Sequence, residues 1–249
     1  LLPLIYSIFV FGIFGLFANC WPNPGFAGTW ADWQKIKDLG HDVQSHTVTH
    51  LHTEDSRWKG IETEYSESIT DLESNVKDNK VLVMAYPGGK NSELNDHAVA
   101  AKHFAGCRGA RGHLNKPGKI DYLDANSIGG MGGFTNVESH WASFAGVLTP
   151  GHKKFRSWYC THYHGVGKSD SPTAVNLVEA LDHIKKHEDD MWVAPFREIC
   201  LYGQEQETGK LEMKSVAPDK IALNVSDDMK DEVFNFPLTV KVRLNKEWQ

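Results

Sequence analysis

The run Val81-Leu82-Val83-Met84-Ala85-Tyr86, closed by Pro87-Gly88-Gly89, is the stretch that most restricts how this chain can fold. Six consecutive apolar or aromatic residues leave no polar face for water, so such a strand is covered on both sides. Strands covered on both sides belong to parallel sheets with helices packed over them. The flanking segments have the required pattern. Between Gly60 and Val76 the residues Ile61, Tyr65, Ile69, Leu72 and Val76 recur at helical spacing, with Glu62, Glu64, Glu67, Asp71 and Glu73 assigned to the solvent face. Thr29 can cap a helix over Trp30–Leu39, with Trp33 and Ile36 inward and Gly40 as its stop. A further helix is expected over Ser92–Phe104. Another begins at Ser171-Pro172 and carries the stripe Ala174, Leu177, Val178, Leu181 and Ile184. Phe14–Asn19, Trp158–His164 and Met191–Phe196 read as further strands, the first preceded by a buried helix.

Strands alternating with helices predict an α/β architecture with a barrel-like sheet over residues 1–203. From 204 to 249 the pattern changes to short strands, Lys210–Val216, Lys220–Val225 and Pro237–Leu244, without helices between them, which predicts a small β module. The segment 112–151 is rich in Gly, Asn and Ser and reads as irregular. A chain of 249 residues suffices for this arrangement. The net charge of −6 and the lack of a basic stripe argue against nucleic acid as a partner. Leu1–Ala18 is almost wholly apolar, but Pro3, Gly12 and Gly15 interrupt it and no basic residue flanks it, so it reads as core and no stable membrane insertion is expected. The four cysteines, at 20, 107, 160 and 200, form no CxxC. Two disulfides or buried free thiols both fit that spacing.

The chemistry centres on Gly40-His41-Asp42-Val43-Gln44-Ser45-His46-Thr47-Val48-Thr49-His50. His46 and His50 lie four apart, but Thr47-Val48-Thr49 is a poor helix interior, which places the pair at a strand end running into a turn. Imidazole is a good ligand for zinc and similar ions. Two histidines four apart, among 13 in the chain, are by themselves a weak signal.

The context is more specific. The segment resembles the second motif of the polysaccharide deacetylases (the NodB-like carbohydrate esterases), with His41, Asp42, Val43, Ser45, His46, Thr47 and His50 in place. The resemblance implies a distorted (β/α) barrel that holds a divalent ion, zinc foremost, through His46 and His50. Its implied reaction removes N- or O-acetyl groups from a polysaccharide or oligosaccharide. His164, before Gly165-Val166-Gly167, looks like the late-motif histidine that protonates the leaving group, with His162 as its near neighbour in sequence. Tyr86-Pro87-Gly88 resembles the third motif, implied to line the substrate groove. Many relatives carry an arginine where this chain has Ala85, and Arg108 or Arg111 can take that part from the next strand. The family's first motif, Thr-Phe-Asp-Asp-Gly, occurs nowhere in the chain, and we expect residue 1 to lie downstream of it. The family likeness also implies a secreted or extracytoplasmic protein. A carbohydrate-binding pseudoenzyme of the same fold is the alternative.

Overall fold

The structure is a computed structural model and describes residues 7–8, 14–15, 29–89, 96–129, 145–162, 172–187, 189 and 191–244. The chain divides into two compact units, Leu1–Ile199 and Cys200–Gln249.

In the first unit, strands and helices alternate: β1 (Ser7–Ile8), β2 (Phe14–Gly15), α1 (Trp30–Asp38), β3 (Val43–Gln44), α2 (Ile61–Asn75), β4 (Val83–Ala85), α3 (His97–His103), β5 (Gly106–Arg108), β6 (Ile128–Gly129), β7 (Thr161–His162), α4 (Pro172–Lys185) and β8 (Trp192–Val193). Helix α5 (Phe196–Thr208) spans the division between the units. The strands follow one another across the sheet. β2 pairs with β3 and β4 with β5, both parallel, and a parallel bridge from Ser45 to Met84 joins the two pairs. A second bridge, Arg108 to Ala125, leads to β6, which pairs in parallel with β7. β1 pairs in parallel with β8.

The α/β class read from the alternation therefore holds. Among the described residues no pairing joins β1 to β2 or β7 to β8, so they do not show a closed barrel. The buried helix expected before Phe14 is also corrected in part, because Ser7–Ile8 is extended and paired with Trp192–Val193. In an apolar run, periodicity alone does not separate a buried helix from a buried strand.

Local chemistry sets the helix ends. At α1 the Asp32 amide donates to Thr29 Oγ1 (3.2 Å) and the Thr29 amide donates to Asp32 Oδ2 (2.8 Å), a reciprocal capping box. Gly40, at φ +91°, ends the segment in a conformation that suits glycine. Asp96 caps α3 by accepting from the Val99 amide at 3.0 Å. On α4 the inward stripe differs from the expected one, since Val178 is 56% exposed while Ala180 is buried. Leu177, Ala180, Leu181 and Ile184 follow the 3.6-residue period more closely than a stripe through Val178.

The main core lies between the β3–β4–β5 strands and the helices over them. It gathers Trp33 from α1, Val43 from β3, Tyr65 and Leu72 from α2, Met84 from β4 and Cys107 from β5, with Val76, Tyr86 and Phe104 just beyond the elements. A second cluster joins Val147, Tyr159 and Met191, with Ile128 and Ile184 against it. Cys107, Cys160 and Cys200 are all buried free thiols, and burial pushes the Cys107 and Cys160 thiols up to about 12.

Gln44, fully buried on β3, ties the strands together through its side chain. Its Oε1 accepts from the Leu82 and Val83 amides at 2.8 and 3.0 Å, and its Nε2 donates to the Lys80 carbonyl (2.8 Å) and to Asp42 Oδ1 (2.9 Å). Asp42 in turn pairs with Arg197 at 2.9 Å.

The second unit contains an antiparallel hairpin, β9 (Lys210–Ala217) and β10 (Lys220–Ser226), with a register shift between Ala222 and Leu223. Both strands were expected. The third, Pro237–Leu244, is not a strand: the segment is described and has no regular structure. Its alternation is real, but Val240, Val242 and Leu244 are exposed, and without a neighbouring strand an alternating sequence gains nothing from extended pairing. One side of the hairpin is also apolar and open to water, with Leu211, Met213, Leu223 and Val225 all exposed.

Replacing Gln44 by leucine leaves the Leu82 and Val83 amides without their acceptor. We expect a loss of ~3 kcal/mol, read as a lower urea midpoint at unchanged m-value.

Candidate active site

β3 ends at Gln44 and the chain turns directly into the histidine segment. The rings of His46 and His50 lie with centroids 4.8 Å apart, edge to face at 71°. That is well within the roughly 8 Å beyond which two imidazoles could not share one ion. His52 stacks on His50 at 5.7 Å. His46 is buried, and its Nδ1 lies 2.7 Å from the Ala85 carbonyl oxygen at the end of β4. A carbonyl only accepts, so Nδ1 carries the proton and donates, and in the neutral ring Nε2 is left as the nitrogen with a lone pair. A backbone carbonyl that fixes the tautomer in this way is the usual outer partner of a metal-binding histidine.

The turn between the two rings is held in an uncommon conformation. Thr47, His50 and Leu51 have φ of +70°, +58° and +59°, the left-handed region that residues with a β-carbon seldom occupy. Its anchor is Glu64 on α2, which is 1% exposed. Glu64 Oε2 accepts from the Val48 amide (3.0 Å) and the Thr49 amide (2.8 Å), and Oε1 accepts from the Thr49 hydroxyl (2.9 Å). This corrects the assignment of Glu64 to a solvated face. Ser68, one turn further along α2, lies 2.6 Å from Ser45 through their hydroxyls, and Ser45 Oγ accepts from the Thr47 amide at 3.2 Å. A buried Glu and Ser at i and i+4 beside the apolar stripe was the available sequence signal. It was missed because an acid next to other acids reads as surface.

The other candidates are dispersed. Tyr86 does not fit a groove-lining part: its ring is 2% exposed, belongs to the main core and stacks on His97 at 5.3 Å. Burial pushes its hydroxyl far above the ordinary range. Pro87 is buried and Gly88 exposed, at φ +69°. Gly89 passes so close to Ala110 that a β-carbon there would collide with the Ala110 methyl. Arg108, paired in register with Ala85, is partly buried, and its Nη1 lies 3.4 Å from the Gly109 carbonyl and 3.5 Å from Ser127 Oγ. Arg111 forms an ion pair with the buried Asp124, a partner the sequence reading did not find. Ser127 Oγ donates to the Gly109 carbonyl (2.6 Å) and so accepts from His162 Nδ1 (2.7 Å), giving His162 a fixed orientation on β7. His164 lies outside the described residues.

Two histidines with an oriented donor nitrogen fit part of a divalent-ion site. Among the described residues no group of three or more His, Cys, Asp or Glu side chains completes one.

Residues 13–109 match the polysaccharide deacetylase family model. In this stretch the chain is similar to the polysaccharide deacetylases. The matched segment includes His46, His50 and Arg108 and stops short of β7. Across 243 aligned residues the chain is 26% identical to a gellan lyase from a Bacillus species, an alignment covering 87% of this chain and 9% of that protein's length. Among solved structures it is similar to a Bacillus cereus polysaccharide deacetylase, at 22% identity and a TM-score of 0.32 over 41% of this chain and 32% of the other. It is also similar to a Mycobacterium smegmatis protein assigned to the polysaccharide deacetylases, at 15% identity and a TM-score of 0.49 over 72% and 68% of the two chains.

The Asp124 carboxyl is raised from its ordinary value of 3.8 by burial, against the lowering pull of Arg111 and His97. The folded protein therefore holds this proton more tightly than the unfolded chain does. The associated stability is complete at pH below 3.8 and is lost as pH rises through the folded-state value. A ¹³C titration of the Asp124 carboxyl is expected to show a midpoint above 3.8. Asp124→Asn is expected to lose less stability than the unsubstituted protein over that rise.

Proposed function

We propose that this chain is a metal-dependent deacetylase that removes acetyl groups from an acetylated polysaccharide or oligosaccharide. The observation that supports this most directly is the pairing of His46 and His50 at 4.8 Å, with His46 oriented by the Ala85 carbonyl. In this reading His46 Nε2 and His50 hold a divalent ion, with zinc first among the candidates for two imidazoles. When bound, such an ion acidifies its water and polarises the acyl carbonyl.

The other parts belong to the chain's own residues. The Ala85 carbonyl keeps the proton on His46 Nδ1, so that Nε2 remains a ligand. The Glu64-anchored turn fixes His50 beside it. His164 is proposed to give a proton to the departing amine or hydroxyl, so that water adds to the acyl carbon, the bond to the sugar nitrogen or oxygen breaks, and acetate leaves. Arg108 and Arg111, at the end of β5 and just beyond it, are proposed to border the substrate, together with Gly88 in the turn after β4. A secreted or extracytoplasmic location would match a polymeric substrate. No observation favours the carbohydrate-binding pseudoenzyme over this reading.

Acetate release from acetylated chitin and acetylated xylan oligosaccharides, measured with added zinc, tests the proposal and separates N- from O-acetyl substrates. His46→Ala and His50→Ala are each expected to lower the rate at least ~100-fold, and His164→Ala by a similar factor. Oligosaccharide binding without any acetate release, in protein shown to contain zinc, would overturn it.

A further inference from the structure

Glu64 is nearly solvent-free, yet its carboxylate has no cationic partner within salt-bridge distance among the described residues. A buried carboxylate is costly unless hydrogen bonds compensate it. Here the compensation comes from one place, the turn between the two histidines: two consecutive amides on Oε2 and the Thr49 hydroxyl on Oε1. Charge-assisted bonds of this kind are about twice as strong as neutral ones. The same turn has three residues at positive φ that do not favour it intrinsically, and such a conformation persists only where its surroundings impose it. Ser68 on α2 reaches Ser45 at the start of the turn, so one helix holds the turn at both ends.

We infer that Glu64 is a positioning residue for the histidine pair, its carboxylate clamping the Val48 and Thr49 amides so that His46 and His50 stand ready for one ion before any ion arrives. The inference rests on the deacetylase reading for what the pair does, and on the geometry alone for what Glu64 does. Glu64 touches neither substrate nor ion in this account. Loss of the clamp lets His50 turn away from His46 while the helix and core remain.

Glu64→Gln is nearly isosteric, but its amide nitrogen faces backbone donors, so only half of the clamp can survive. Two readouts are compared with the unsubstituted protein: the ring-to-ring nuclear Overhauser contact between His46 and His50 in metal-free protein, and the zinc dissociation constant by calorimetry. The expected result is loss of the ring contact and zinc binding weakened by about 10- to 100-fold, the range seen when outer partners of metal ligands are removed. A purely structural role would lower the melting temperature and leave both readouts unchanged in the folded fraction, which would overturn the inference. If the unsubstituted protein binds no zinc while Glu64→Gln still loses the ring contact, the positioning role stands and the metal-dependent reading falls. Should Glu64→Gln fail to fold, Glu64→Asp keeps the charge but is one methylene shorter and draws the carboxylate back from the Val48 and Thr49 amides. A retained ring contact and unchanged zinc affinity in that variant would equally overturn the inference.

Discussion

Between Asp42 and Thr49 the chain places polar side chains where water does not reach: Asp42, Gln44, Ser45, His46, Thr47 and Thr49 are all buried. Buried polar groups must be hydrogen-bonded or they cost more than the apolar burial around them returns. The partners come from several elements. Gln44 meets the backbone just before and at the start of β4, His46 the last carbonyl of β4, Ser45 and Thr49 the helix α2, and Asp42 the guanidinium of Arg197. The network that sets the strand register therefore also aims the histidines. Within the first unit, fold and candidate site are held by one set of bonds.

Parallel strands that follow one another in order bring their ends to a common side. Ala85 and Arg108 are register partners, and His162 is the partner of Gly129 on the neighbouring β6–β7 pair. In sheets of this kind the carboxyl ends of the strands are where chemistry collects. His46 lies just after β3, Arg108 at the end of β5 and His162 at the end of β7, all at carboxyl ends of strands. Asp124 and Arg111 add a charged pair just beyond β5, and Gly109 is small because the Asp124 carboxylate fills the space a side chain would need.

Much of this was legible in the sequence because it depends on neighbours along the chain. The Thr29–Asp32 capping box, the Gly40 stop, the apolar stripe of α2, the double-faced burial of β4 and the β9–β10 pair are local patterns. The adjacency of His46 and His50 was legible through the motif around them. The features that were not legible depend on partners distant in sequence. Glu64 reads as one acid among several until the turn it binds is folded over it, 15 and 16 residues away. Tyr86 reads as the lip of a groove until α3 sets His97 against its ring. Pro237–Leu244 has a strand's alternation but no described neighbour to pair with, and alternation is a preference that needs such a neighbour to be realised.

Three sulfhydryls, Cys107, Cys160 and Cys200, stay reduced inside their packing and serve there as small apolar side chains. None of them staples one part of the chain to another. A reagent that alkylates or oxidises these three thiols must first wait for the packing around them to open.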